Sequence, residues 1–150
     1  MFAPRPSVVV KELARVLKPG GVLAFSTWPK ELFMGKFFKL IESFSQPLPP
    51  EVASPVLWGD MAVIEDRLKD HFNEIEFARD TMFAPTMSPA HMLKLFEKNA
   101  GPLANLVKAL ADDPTSLSNL RNAALVLIEK FFSNNFLRQD FLMTRCVKKT

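Results

Sequence analysis

The feature that most constrains this 150-residue chain is a helix, turn and strand pattern near its start. Apolar residues recur at helical spacing from Pro6 to Leu17, and Pro19-Gly20-Gly21 then ends the helix and turns the chain. The run from Val22 to Phe25, which continues into Ser26-Thr27-Trp28, is short and apolar at successive positions. This pattern predicts a strand buried on both faces, as in a parallel sheet that is covered by helices.

A helix followed by a buried strand is half of a β-α-β unit, which needs a parallel strand before the helix. Only Met1 to Arg5 precede the predicted helix. We therefore expect one edge of the Val22–Phe25 strand to be exposed. Because an exposed edge recruits other strands, we also expect a homodimer or aggregation through that edge.

Further elements follow from apolar spacing and from helix-start signals. Helices are predicted over Glu31–Phe44, Asp60–His71, Ser88–Asn99, Leu103–Leu110 and Ser116–Ser133, and strands over Glu74–Met82 and Leu137–Val147. Asp60 and Ser88 are predicted N-caps, and Asn134-Asn135 is predicted to adopt a left-handed turn. Pro47, Pro49, Pro50 and Pro55 predict an extended loop that is not helical. These elements predict an α/β fold.

The composition narrows the class of protein. Apolar residues make up 48% and charged residues 23% of the chain, which is ordinary for a globular protein. The net charge of +3 is small and spread along the chain, so we expect neither nucleic acid nor a membrane as a partner. No apolar run approaches the ~18 residues that span a bilayer. Cys146 is the only cysteine, so it cannot form an internal disulfide, and a reducing, cytoplasmic location is expected.

The residues that most often carry catalysis or bind metals show no recognisable arrangement. His71, His91 and Cys146 lack the spacing of a metal-ligand set. Ser26 and Thr27 do not lie in the glycine-flanked turn of a nucleophilic serine. The sequence therefore predicts no metal site and assigns no catalytic residue.

The stretch Glu12–Trp28, which reads Glu-Leu-Ala-Arg-Val-Leu-Lys-Pro-Gly-Gly-Val-Leu-Ala-Phe-Ser-Thr-Trp, resembles a segment of one enzyme family. It is similar to the region around the fifth strand of class I S-adenosylmethionine-dependent methyltransferases, in the small-molecule branch related to the ubiquinone-biosynthesis methyltransferases. In that family the helix before strand five ends in a Leu-Lys-Pro-Gly-Gly turn, which Leu17–Gly21 matches.

The resemblance implies that residues 1–150 form the C-terminal portion of a Rossmann-like methyltransferase domain. The family has a parallel core and an antiparallel pair, strands six and seven, at one side of the sheet. Strand five then corresponds to Val22–Trp28, strand six to Glu74–Met82 and strand seven to Leu137–Val147. Residues 83–136 correspond to a helical insertion between the last two strands.

This chain contains no match to the cofactor-binding part of the family. The family's Gly-x-Gly-x-Gly loop is absent, because none of the five glycines makes that spacing, and the acidic residue after strand two is also missing. The resemblance therefore implies that the cofactor half lies upstream of Met1, and that S-adenosylmethionine binds the full-length protein but not this chain alone. Met1 and Phe2 are expected only at the edge of the cofactor site. Three explanations for the missing cofactor half are open: a shortened polypeptide, a misassigned start and a split gene.

Methyl transfer from a sulfonium is an in-line displacement that needs a dry pocket and often no protein nucleophile. The resemblance implies that this chain supplies the wall around a small, apolar acceptor. Trp28 is the first candidate, because ligands bind beyond the carboxyl ends of strands, and a plain core or rim aromatic is its alternative. Phe33, Phe37, Trp58 and Met82 are further candidates, with core packing, or loop docking for Trp58, as the alternative. A non-catalytic module that holds an apolar ligand or a partner chain through the helical insertion is the alternative function.

Overall fold

The computed structural model describes residues 1–47, 49 and 52–150. The described residues form an α/β fold, as the sequence predicts. The elements along the chain are α1 (Pro6–Val16), β1 (Val22–Thr27), α2 (Phe33–Phe44), a 3-10 helix (Pro55–Gly59), α3 (Met61–Leu68), β2 (Phe72–Pro85), α4 (Pro89–Asn99), α5 (Gly101–Ala109), α6 (Pro114–Glu129), β3 (Phe132–Ser133) and β4 (Phe136–Lys148).

Local capping signals set the start of three helices. The side chains of Asp60, Ser88 and Asp113 each accept a hydrogen bond from a main-chain N–H in the first turn of the helix that follows. These bonds satisfy donors that have no partner inside a helix, which is why the helices begin there. The predicted caps Asp60 and Ser88 are therefore confirmed.

The strands form an open sheet in the order β1-β4-β2, and β3 pairs with β4. Strand β1 runs antiparallel to β4, with paired residues from Val22 opposite Val147 to Thr27 opposite Leu142. The prediction that β1 belongs to a parallel sheet and is buried on both faces is wrong for this chain. Its strand neighbour among the described residues is antiparallel, and Val22 remains 50% exposed because no described helix covers that face.

The first of two compact units contains the described parts of residues 1–30, 48–80 and 140–150. Helices α1 and α3 and the 3-10 helix pack on the face of β1 that carries Leu23 and Phe25. The buried core consists of Val10, Ala14, Trp58, Ile64, Leu68, Phe72, Leu142 and Cys146. Burial of these apolar side chains is the main source of stability for this unit.

The second compact unit contains residues 31–47 and 81–139. Helix α6 packs against α2 and α4, and α5 contacts both α2 and α4. Phe33, Phe37, Phe96 and Phe131 form an aromatic cluster, in which Phe33 and Phe37 stack with their ring centroids 5.6 Å apart. The unit contains the helices between β2 and β4 and, in addition, helix α2.

Several boundaries differ from the sequence predictions. Pro55 begins the 3-10 helix and is not part of an extended loop, because proline fits the first turn of a helix. Pro50, which was assigned to the same loop, lies outside the described residues. The helix predicted to reach Ser133 ends at Glu129, and the short strand β3 takes the last two positions. Asn134 and Asn135 have φ angles of 49° and 62°, which confirms the left-handed turn.

Within residues 1–47, 49 and 52–150, no helix is both long and apolar enough to cross a membrane.

Candidate functional site

A groove of about 250 Å³ lies along β1 in the first unit, and we call it the edge groove. It is lined by residues 23–27 of β1, by Val9 and Leu13 of α1, and by Met1 and Trp58. Val9 and Leu13 lie four positions apart and so share one face of α1. The groove therefore arises from the apolar stripe of α1 meeting the strand that follows it.

Thr27 gives the edge groove a buried polar group. Leu23, Phe25 and Thr27 alternate along β1 and therefore point to the same side of the strand. Thr27 is only 3% exposed, and its Oγ1 has no hydrogen-bond partner among the residues that the structure describes. An unpaired buried hydroxyl costs roughly 1–3 kcal/mol, so Thr27 Oγ1 is an unsatisfied polar atom beside the groove.

Trp58 is held between an aromatic ring and a cation. It is 5% exposed and meets Phe25 edge-on, with 5.7 Å between the ring centroids. The guanidinium of Arg67 lies 4.7 Å from the centre of the Trp58 ring. Burial lowers the pKa of Arg67, and its Nη1 has no hydrogen-bond partner in the described part of the chain. The indole wall of the groove is therefore fixed in place, with a partly desolvated positive charge beside it.

Trp28 follows the last residue of β1 and is half-buried. Its carbonyl oxygen lies only 1.8 Å from the position that a Cβ at Gly59 would occupy. This close approach explains the glycine after Trp58. An ion pair between Lys30 and Asp60 ties the segment after Trp28 to the start of α3. The main chain of Trp28 is thus tightly placed, but Trp28 is not among the residues that line the edge groove.

The other predicted site residues lie in different surroundings. Met1 lines the edge groove, whereas Phe2 is 60% exposed. Phe33 and Phe37 belong to the second unit, where both are buried in the aromatic cluster. Met82, also assigned to the second unit, lies on β2 and is 45% exposed. The structure thus brings Met1 and Trp58 to one groove, and a substrate contact by any of these residues stays a prediction.

Sequence reasoning did not single out Thr27 or Arg67 as site residues. The alternation of Leu23, Phe25 and Thr27 was a signal that the Thr27 hydroxyl faces the covered side of β1. Arg67 gave no such signal, because its contact with Trp58 depends on how α3 packs against the 3-10 helix.

The described residues hold no cluster of metal ligands, and the thiol of Cys146 is not ionised near neutral pH. Across residues 1–47, 49 and 52–150, no group of three or more His, Cys, Asp and Glu side chains could hold a metal ion. Burial raises the pKa of the Cys146 thiol to about 11, so this thiol stays protonated near neutral pH. Cys146 is therefore not an activated nucleophile.

The chain's own residues do not fit S-adenosylmethionine. Gly20 has a φ of 74°, and an added Cβ there would have no neighbouring atom within 4 Å. This glycine therefore allows the chain to turn, and it does not form part of a close-fitting cofactor loop. The space beside Gly59 is already filled by the main chain of Trp28. At about 250 Å³, the edge groove is also smaller than the ~300–1,000 Å³ of typical ligand pockets.

Comparisons with known proteins give relatives without a described activity. No family model matches the chain. An uncharacterized protein of Mycobacterium tuberculosis is 26% identical over 144 residues, which cover 95% of this chain and 53% of the relative. A second uncharacterized protein of that organism is 23% identical over 150 residues, which cover 99% of this chain and 55% of the relative. The chain thus spans about half the length of these relatives.

Proposed function

We propose that this chain is the acceptor-side half of an S-adenosylmethionine-dependent methyltransferase that acts on a small, apolar molecule. The observation that carries the proposal is the conformation of Glu12–Trp28, the stretch that resembles the family. It folds as the end of α1, a tight turn and β1, and the edge groove runs beside that strand. A Rossmann-like arrangement of the whole enzyme is part of the proposal.

The order of the later elements supports the same proposal. Strand β2 begins near the predicted strand six and β4 coincides closely with the predicted strand seven. Helices α4, α5 and α6 lie between these two strands in the chain, where the resemblance implies an insertion. Strand β4 lies between β1 and β2 in the sheet, so all three strands belong to one layer.

In this proposal, the chain's residues bind the acceptor and exclude water from it. Apolar side chains such as Leu13, Phe25 and Trp58 line the edge groove and remove the acceptor from water. Trp28 lies just beyond the end of β1, where ligands of open α/β sheets bind. The methyl donor requires residues outside this chain, and the relatives carry nearly half of their length outside the matched part.

Calorimetric titration with S-adenosylmethionine tests the proposal. The samples are this chain, the full-length Mycobacterium tuberculosis relative, and a chimera in which this chain replaces the matched 144 residues of that relative. We expect the relative and the chimera to bind the cofactor and this chain alone to give no binding heat. Absence of binding by both longer proteins overturns the proposal, and so does micromolar binding by the chain alone.

A second measurement separates an enzyme from a non-catalytic binding module. The chimera is incubated with S-adenosylmethionine and a panel of small apolar hydroxy and amino compounds, and release of S-adenosylhomocysteine is measured. Trp28→Ala is expected to lower turnover of the accepted compound while leaving cofactor affinity unchanged. Met87→Ala is the control, because Met87 is 75% exposed and does not line the edge groove. Equal loss of turnover and cofactor affinity in Trp28→Ala contradicts the role of Trp28.

A further inference from the structure

The guanidinium of Arg67 lies over the ring of Trp58, the largest aromatic wall of the edge groove. Its central carbon is 4.7 Å from the ring centre, within the ~6 Å range of a cation–π contact. Phe25 meets the same ring almost at a right angle, with 87° between the two ring planes. Trp58 therefore has a cation over its ring and a second aromatic ring beside it, and it also lines the groove.

The main chain holds both partners of the cation–π contact in place. Trp58 lies in the 3-10 helix, and Gly59 after it packs against the main chain of Trp28. Arg67 lies in the last turn of α3, which begins after the Asp60 cap and contacts the 3-10 helix. Because a positive charge is favoured at the C-terminal end of a helix, α3 also stabilises the Arg67 cation where it meets the indole.

The contact is partly shielded from water. Trp58 is 5% exposed and Arg67 is half-buried. Burial lowers the pKa of the Arg67 guanidinium, which still stays protonated near neutral pH. A cation–π contact between desolvated groups is stronger than one at an exposed site. The guanidinium therefore restrains the indole more than apolar packing alone would.

The walls of the edge groove give the orientation of Trp58 particular weight. Among the described residues that line this groove, none has a charged side chain. An apolar ligand in such a groove is oriented by the shape of its walls and by aromatic contacts. The plane of the indole therefore decides which face an aromatic or aliphatic ligand meets.

We propose that Arg67 is a positioning residue of the acceptor site and holds the Trp58 indole in the orientation that binds an apolar acceptor. This role rests on the proposed function. Arg67 is not a catalytic residue, because it acts on the acceptor through Trp58 and does not itself line the groove. Without the cation the indole keeps its apolar surface but turns more freely, so binding must also order the ring and becomes weaker.

Nuclear magnetic resonance of the Trp58 Nε1–H group in this chain gives the first test. The chain has two tryptophans, so comparison with Trp28→Phe assigns the Trp58 signal. Arg67→Met removes the charge but keeps a long side chain, and it is expected to shift and broaden this signal. Arg67→Lys keeps a cation and is expected to restore part of the native signal.

Arg15→Met is the matched control, because the Arg15 side chain is 68% exposed and does not line the edge groove. Its Trp58 signal is expected to equal that of the native chain, and circular dichroism checks that all variants are folded. An unchanged signal in Arg67→Met overturns the proposal. Equal changes in Arg67→Met and Arg67→Lys also overturn it, because the charge then has no role.

Titration with benzyl alcohol, a neutral aromatic probe, tests binding in the absence of any cofactor. The Kd is measured from the shift of the Trp58 Nε1–H signal. We expect Arg67→Met to raise this Kd roughly 2- to 30-fold, the range to which one cation–π contact corresponds. Arg67→Lys is expected to raise it less, and Arg15→Met not at all. An unchanged Kd in Arg67→Met, or a native Trp58 signal that does not respond to the probe, overturns the proposal.

Turnover by the chimera separates positioning from a general loss of structure. Arg67→Met is expected to raise the KM for the accepted compound while kcat and the affinity for S-adenosylmethionine stay unchanged. Equal losses in all three quantities indicate a merely structural role and overturn the proposal. If neither longer protein binds the cofactor, the proposed function fails, whereas the benzyl alcohol titration still decides whether Arg67 positions Trp58 for a ligand.

Discussion

At Gly59 the main chain passes so close to Trp28 that a side chain has no room. A Cβ placed there lies 1.8 Å from the Trp28 carbonyl oxygen and 2.8 Å from Cα of Pro29. All of these atoms belong to the main chain, so they cannot rotate away. Gly59→Ala must therefore displace the segment after β1 or the start of α3, and it is expected to destabilise the protein by about 1–3 kcal/mol.

Urea denaturation measures this loss, and Gly101→Ala is the matched control. Gly101 is the first residue of α5, and a Cβ there has no neighbour within 4 Å. Replacing it with alanine reduces the freedom of the unfolded chain and is expected to be neutral or to stabilise by about 0.4–1 kcal/mol. Equal stabilities for the two variants contradict the close packing of Gly59 against Trp28.

At the scale of single elements, the local signals explain what the sequence could predict. Helix α4 carries both an N-cap, Ser88, and a first-turn proline, and its bounds were predicted within a residue. The sequence of β1 predicted a strand at the right place. It did not predict the antiparallel pairing with β4, because the paired residues lie more than a hundred positions away. They also could not show that one face of β1 is uncovered. The two residues of β3 are too few for any pattern.

In the candidate site, too, residues with a local sequence signal were predicted and residues placed by distant contacts were not. Trp58, which lines the edge groove, was a candidate because an aromatic residue at the end of a loop is recognisable in a sequence. Trp28 was a candidate for its place after a strand, and it does not line that groove. Thr27 and Arg67 were not, because their burial comes from the packing of α1, the 3-10 helix and α3 around β1. Residues with a role set by distant contacts leave only a weak trace in the sequence near them.

The helices of the second unit give a prediction about Phe37, for which core packing and substrate contact are the alternatives. Phe37 is 1% exposed, and its ring lies 5.0 Å from that of Phe96 on α4. A side chain in this position acts mainly by packing α2 against its neighbours. Phe37→Ala is therefore expected to cost about 3–5 kcal/mol of unfolding free energy.

Chemical denaturation of Phe37→Ala, with Met87→Ala as the control, distinguishes the alternatives. Met87 is 75% exposed, so its truncation is expected to change stability by less than about 0.5 kcal/mol. Phe37→Leu, which keeps an apolar side chain, is expected to fall between the two. A Phe37→Ala variant as stable as the Met87→Ala control contradicts core packing and favours an exposed pocket wall.

At the scale of the whole molecule, one acidic N-cap in each compact unit links stability to pH. Asp60 caps α3 in the first unit, and Asp113 caps α6 in the second. A hydrogen bond from the Lys30 side chain, followed by main-chain N–H donors, lowers the pKa of Asp60. Hydrogen bonds from the Ser116 side chain and main chain lower the pKa of Asp113.

Because both carboxyl groups have a lower pKa in the folded than in the unfolded chain, protonation favours unfolding. Their contribution is complete above the unfolded pKa of about 3.9 and is lost as the pH falls through the folded values. The double variant Asp60→Asn and Asp113→Asn keeps a capping oxygen but cannot titrate. We expect its melting temperature to fall less steeply than that of the native protein below about pH 4. If the melting temperatures of the native protein and the double variant fall equally steeply from pH 6 to pH 2, the two caps do not contribute to acid stability.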